Sequence, residues 1–298
     1  MKCRVVALIA VLLIGSLPAL AMDLEAVVTD LEGNRVSGLS AGDFRLLVDG
    51  AEVPIERVAE VSEAAVGRSY LVFIDDSLSS AVQRDLVLWG IEGDLERLGP
   101  DDRMAVVAFD GARLHRLADW TGDRALLAAA FAEVRRRAAG TPSLAEQAAD
   151  AAAEALRELP LPEGRRTMLV LSGGWSAGTL ELAREANRLG YTLYPVDVPG
   201  LEIVRDGEQA SHDTLVALAQ ATGGEPALDS ARLAALEQAE ADTRSWYQLG
   251  FSSDDQNHRI ELEVRLPCLS VRARHSLSGS QPAVLAGTAG AQEQKTGE

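Results

Sequence analysis

Asp75, Ser77 and Ser79 fall at alternate positions where the apolar run SYLVFID, residues 69–75, comes to an end. One carboxylate and two hydroxyls at that spacing are hard oxygen donors. Mg²⁺ takes such donors in an octahedron and keeps some of its waters. The same residues also suit an ordinary strand-to-helix turn, with Ser79 or Ser80 capping the helix and Asp75 near the positive end of its dipole. Ligand sites of open α/β sheets lie beyond the carboxyl ends of the strands. Two more loops fall there: Gly140-Thr141, before a helix starting at Ser143, and Ser172-Gly173-Gly174, after the run TMLVL. Thr141 reads equally as a plain loop residue before Pro142.

The third loop carries a rival chemistry. Gly174-Trp175-Ser176-Ala177-Gly178 is a G-x-S-x-G stretch between a strand and a helix, as a nucleophile elbow requires. Asp197 or Asp229, then His258 or His275, follow in hydrolase order, but order without geometry does not make a triad. A Gly-rich turn with Ser176 as helix cap accounts for the same residues. His115, His212, His258 and His275 lack zinc-ligand spacing. There is no P-loop and no G-x-G-x-x-G. Arg135-Arg136-Arg137 ends an Ala-rich helix, where it complements the negative end of the dipole.

The elements that must position these loops can be read from periodicity. Residues 24–60 have a β character, with Asp49-Gly50 as a hairpin signal after FRLLV. From Ser69 the pattern alternates. SYLVFID, RMAVVAF, ARLHRLADW, RTMLVLS and TLYPVDV read as strands, with a short one near Pro226. Helices are expected from the first loop to about Leu98, then over 123–137, 143–159, 178–189, 212–221 and 230–243, with Gly223-Gly224 as a helix stop. Repeated βα units imply an α/β fold with a doubly wound, mostly parallel sheet. After Trp246 the β character returns in WYQLGF, HRIELEVRL and LSVRARH. Pairing these strands with the N-terminal ones gives a small antiparallel β-sandwich, residues 22–63 and 244–278, into which the α/β domain of 69–243 is inserted. Residues 279–298 are polar, unperiodic and read as a disordered tail.

Residues 1–21 read as a cleaved secretory signal: Lys2 and Arg4, an apolar run from Val5 to Leu17, then Ala19-Leu20-Ala21. An uncleaved anchor is the alternative. A periplasmic or secreted location follows. The chain carries a formal charge of −17, and removing that segment leaves 26 basic against 45 acidic side chains, a charge of −19. Such a surface repels phosphate backbones and anionic lipid, which argues against nucleic-acid and membrane-surface partners. Cys268 is then the one remaining cysteine, so the core holds without an intrachain disulfide. It is expected as a small buried strand residue.

Taken together, D-x-S-x-S, the later Thr141 and the serine loop after the strand RTMLVLS resemble the metal-ion-dependent adhesion site of von Willebrand factor type A domains. The wider course VVTDLEGNRVSGLSAGDFRLLVDG, YLVFIDDSLS, DRMAVVAFD, LAQATGG and WYQLGF is similar to secreted bacterial proteins of the von Willebrand factor A-related acidobacterial type. It covers nearly all of the chain beyond the signal. The resemblance implies a Rossmann-like domain that is not an enzyme and binds a protein partner. Asp75, Ser77, Ser79 and Thr141 would hold Mg²⁺ or Mn²⁺, with one position open to an acidic side chain of the partner. A metal-free domain binding through helix or loop surfaces is the alternative. One departure is plain: the family pattern L-S-D-G reads Leu171-Ser172-Gly173-Gly174 here, so Gly173 stands where a carboxylate is expected. Asp76 is no substitute, because in an extended segment it points opposite to Asp75.

Overall fold

A computed structural model describes residues 20–62, 67–137, 145–173, 175, 178–199, 205–253 and 257–278. Most of the signal segment, together with Thr141, Gly174, Ser176 and the tail, lies outside the described residues.

Continuous apolar sequence produces the central strand. β5 (Arg68–Asp75) is buried along its whole length, as a strand covered on both faces must be. It pairs in parallel with β6 (Arg103–Phe109) on one side and with β8 (Arg165–Ser172) on the other. β9 (Tyr191–Asp197) extends the sheet in parallel beyond β8. β7 (Leu114–Thr121) closes the far edge as an antiparallel hairpin to β6. The order is therefore β7-β6-β5-β8-β9, a mixed sheet of five strands. The chain moves outward from β5 in one direction and returns to its other side at β8. That reversal opens a crevice between the carboxyl ends of β5 and β8, where Asp75 and Ser172 stand.

Helices cover both faces. Val87, Leu88 and Ile91 of α1 (Ala81–Gly93), Phe131 of α2 (Arg124–Arg136) and Leu236 of α6 (Ala235–Thr243) pack on one face. The Ala-rich side of α3 (Ala145–Glu158), Leu182 of α4 (Thr179–Leu189) and Leu218 of α5 (Arg205–Thr222) pack on the other. Two expected helices end or begin in 3-10 turns, 94–97 after α1 and 229–234 before α6. α5 starts well before the expected position 212, and it stops where expected, at Gly223 with φ 79°. The expected strand near Pro226 is a single bridge, Val196 to Ala227.

Both ends of the chain form antiparallel sheets. β1 (Leu20–Asp30) lies between β10 (Ser245–Ser253) and β12 (Leu269–Ala273), and β4 (Arg57–Ser62) pairs with β10. The second sheet joins β2 (Phe44–Val48), β3 (Ala51–Val53), β11 (Asn257–Val264) and β13 (Ser276–Ser278). Leu24, Leu46, Leu249, Phe251 and Ile260 from the two sheets share one apolar cluster. Asp49 (φ 51°) and Gly50 (φ 83°) make the β2–β3 turn, the left-handed pair that a two-residue hairpin favours. Cys268 corrects the sequence expectation. It is exposed, in the turn between β11 and β12, at φ 65°. The alternating pattern around it extends through the turn, so apolar periodicity alone could not separate the two.

The two units meet on buried ion pairs. Asp242, at the end of α6, accepts two parallel bonds from Arg272 of β12 (2.7 and 3.0 Å), one from Arg35 and one from the Tyr194 hydroxyl of β9 (3.0 Å). Its carbonyl accepts from Arg165 of β8, whose guanidinium lies 4.5 Å over the Trp246 ring of β10. Burial opposes the Asp242 charge, but Arg272 and Arg35 outweigh it and hold the carboxyl below its ordinary 3.8. Replacing Asp242 with Asn leaves two arginines without their shared counter-charge, a loss of about 3–5 kcal/mol for a broken buried pair. The depressed carboxyl contributes stability that is complete above pH 3.8 and vanishes as pH falls through the folded-state value. The gap between wild-type and D242N melting temperatures should therefore be widest near neutrality and close below that pH.

Candidate functional site

Asp75 ends the central strand with its side chain wholly buried. A carboxylate there must find partners, because an unpaired buried charge is costly. It finds five. Oδ1 accepts from the Ser77 backbone N–H (3.0 Å), the Ser77 hydroxyl (2.6 Å) and the Leu78 N–H (3.3 Å). Oδ2 accepts from the Ser172 hydroxyl (2.7 Å) and the Trp175 indole N–H (3.1 Å). Two carboxylate oxygens offer about four lone-pair sites, so this group is filled by the protein itself.

The loop that supplies the indole is shaped by Gly173. A Cβ added there would stand 2.0 Å from the Leu78 carbonyl oxygen and 3.1 Å from that of Val198. The D-x-S-x-S loop thus lies directly against the position where the family pattern has its Asp. Trp175 is fully buried and meets Phe73 of β5 edge to face, at 6.4 Å between ring centroids. Its indole is anchored by packing as well as by Asp75.

The second aspartate goes elsewhere, as its position in an extended segment predicts. Asp76 is buried and forms an ion pair with Arg84 of α1 at 2.9 Å. Burial raises the Asp76 carboxyl and Arg84 only partly offsets it. Arg84 is itself buried and also reaches Asp85 at 2.8 Å. Its charge stays on, because Asp76 and Asp85 outweigh the burial that works against it.

Among the sequence candidates, the structure brings Asp75 and Ser77 into one hydrogen-bonded group. Ser79 is buried nearby, and its hydroxyl has no partner among the described residues. It does not cap α1, and Ser80, the residue at the cap position, makes no side-chain cap bond either. Thr141 lies outside the described residues. As a divalent-cation site the described set fits poorly. Its one carboxylate is saturated, Asp76 is neutralised by Arg84, and position 173 has no room for a side chain. Among the described residues no group of three His, Cys, Asp or Glu gathers as metal ligands.

Sequence reasoning missed the roles of Ser172 and Trp175, although both sit in the loop it singled out. It also missed two carboxylate–imidazole pairs at neighbouring strand ends. Asp197, opposite Ser172 in register, lies 3.3 Å from His212. Asp110, just after β6, lies 2.6 Å from His115, which pulls its carboxyl down to about 2. Arg135, Arg136 and Arg137 pair with Glu92 and Glu133 and so do more than complement a dipole.

A third imidazole, His258 of β11, stands between Ser253 of β10 and Asp49 of the β2–β3 turn. Its Nε2 is 2.5 Å from the serine oxygen, and its Nδ1 is 2.8 Å from the Asp49 carboxylate. Among the described residues no helix is long and apolar enough to cross a membrane.

No protein-family model matches the chain, and no curated protein matches it. Solved structures offer distant likenesses of fold. The conserved hypothetical protein BatB of Bacteroides thetaiotaomicron is 18% identical, over 59% of this chain and 98% of that one, with a TM-score of 0.42. The manganese-loaded Plasmodium vivax TRAP protein is 13% identical, over 73% and 96%, at 0.41. Proximal thread matrix protein 1 of the mussel byssus, with zinc in its MIDAS motif, is 14% identical at 0.45; this chain spans 68% of itself there and half of that protein. At such scores the likeness does not reach as far as a site.

Proposed function

We propose that this chain is an exported protein-recognition module whose α/β domain is not an enzyme. A von Willebrand factor A-like domain, about residues 69–243, is carried on a β-sandwich made from both ends of the chain. It binds a protein partner at the carboxyl edge of its parallel sheet, and it does so without a metal ion. The saturation of Asp75 by five donors carries this reading. A site built to hold Mg²⁺ leaves carboxylate oxygens or their waters facing the ion; here Ser172 and Trp175 take that place.

A recognition role also accords with α1, which begins two residues after Ser79. Val82, Leu86 and Trp89 fall at i, i+4 and i+7 on one helix face and are 68%, 39% and 56% exposed. An apolar stripe on an otherwise acidic protein favours a protein partner over nucleic acid or anionic lipid. A second reading, with Mg²⁺ or Mn²⁺ held by Asp75, Ser77, Ser79 and Thr141, is favoured by one observation, the unpartnered buried hydroxyl of Ser79. Two of the partners named for a serine-hydrolase reading of Ser176 are engaged elsewhere. Asp197 pairs with His212, and His258 pairs with Asp49 and Ser253.

Two measurements separate these readings. A ligand that binds only the folded state raises its melting temperature. Millimolar Mg²⁺, Mn²⁺ or EDTA is expected to leave the midpoint unchanged; a rise that Ser79→Ala abolishes would establish the metal-bound reading. Trp175→Phe, which keeps most of the packing but deletes the indole donor to a buried carboxylate, should cost about 1.5–3 kcal/mol in denaturant unfolding. Gly173→Ala should cost about 1–3 kcal/mol by overpacking against the Leu78 carbonyl. A neutral outcome at both positions would mean that Asp75 is not held this way.

A further inference from the structure

The end of the β unit carries a group of side chains that the recognition role does not use. Ser253 ends β10, His258 lies on β11 in the second sheet, and Asp49 occupies the β2–β3 turn. The Asp49 carboxylate can only accept, so in the neutral imidazole the Nδ1 carries the hydrogen and donates it to Asp49 Oδ2 at 2.8 Å. That leaves the Nε2 lone pair facing the Ser253 hydroxyl at 2.5 Å. The other Asp49 oxygen accepts the Arg259 backbone N–H at 2.9 Å, and the Asp49 N–H returns a bond to the Arg259 carbonyl. The carboxylate is therefore oriented from both sides. Serine, imidazole and carboxylate stand in the bond order of an acyl-transfer triad, which is recognised by geometry and not by chain order or fold.

Exposure differs across the three residues, with the Asp49 side chain 56% exposed in its turn. The His258 ring is 3% exposed, while Ser253 is half-buried at the end of its strand. Asp49 adopts φ 51°, the left-handed conformation that its Asp-Gly hairpin turn favours. The hydrogen bond from His258, with that from Arg259, holds the Asp49 carboxyl below its ordinary range, so it stays charged to stabilise an imidazolium.

We propose that Ser253 is an activated nucleophile, deprotonated by His258 and oriented through Asp49, that takes acyl groups from activated esters. The Ser253 Oγ–carbon bond forms as its proton passes to His258 Nε2. The ester C–O bond then breaks, and the leaving alkoxide or aryloxide takes that proton. Water, with His258 again as base, releases the carboxylic acid and restores the hydroxyl. The triad activates the nucleophile without itself stabilising an oxyanion, so aryl esters and other good leaving groups are the expected substrates and amides are not.

The test uses the full chain and a fluorophosphonate probe, in which the Oγ–phosphorus bond replaces phosphorus–fluorine and fluoride departs. One label per chain is expected on Ser253 by peptide mass spectrometry, absent in Ser253→Ala and retained in Ser176→Ala. His258→Gln should slow labelling at least about 100-fold, the usual contribution of a general base. Asp49→Asn, which tolerates the same left-handed turn, should slow it with the melting temperature little changed. Hydrolysis of p-nitrophenyl acetate should fall in the same order. Labelling that is absent, that falls on Ser176, or that proceeds equally fast in Asp49→Asn and His258→Gln would overturn the proposal. In that event melting temperatures lowered by these substitutions would assign the three residues to a structural clasp.

Discussion

The arrangement of this molecule depends on one buried carboxylate. Asp242 stands where the α/β unit hands the chain back to β10, and it is bound from both sides of that junction. Arg35 and Arg272 reach it from the β unit, and Tyr194 from the parallel sheet. A buried ion is tolerated only when its geometry is good and its remaining lone pairs are filled; here both oxygens are filled. Arg68 repeats the solution a short way off, between Asp102 and Glu240. Arginine suits this junction for a physical reason. A planar fork can bind a carboxylate through two bonds, as Arg272 does, or lie over an indole, as Arg165 does on Trp246. An ammonium would do neither as well.

Much of this was legible in the sequence, and what was not shares a cause. Strands β5, β8 and β9 announce themselves as apolar runs ended by Asp75, Ser172 and Asp197, and periodicity separates them from the helices between. The Asp49-Gly50 turn follows from backbone sterics alone. The junction could not be read, because Arg35 and Asp242 are separated by more than two hundred positions and nothing local in either marks it as half of a pair. Cys268 was misplaced because a small apolar residue between two strands looks the same in a turn as in a strand. Trp175 was read as the variable position of a G-x-S-x-G pattern. Only the fold shows that its N–H points at Asp75. The Ser253–His258–Asp49 group has its serine and histidine five positions apart, yet the aspartate that completes it comes from the other end of the chain.

Asp75 and Asp76 show how strand geometry divides chemistry between adjacent residues. Both are buried, both are acidic, and successive side chains leave a strand on opposite faces. Asp76 meets Arg84 and is neutralised by a full opposite charge. Asp75 meets only neutral donors, two hydroxyls, two backbone N–H groups and an indole. Those five donors already occupy both of its oxygens. A divalent ion would have to displace the indole from a buried apolar setting, where its N–H would then lack an acceptor. Gly173 removes the second carboxylate that could offset such a cost, and the Leu78 carbonyl stands in the space it would need. The absence of a side chain at 173 and the presence of Trp175 are thus two parts of one local solution.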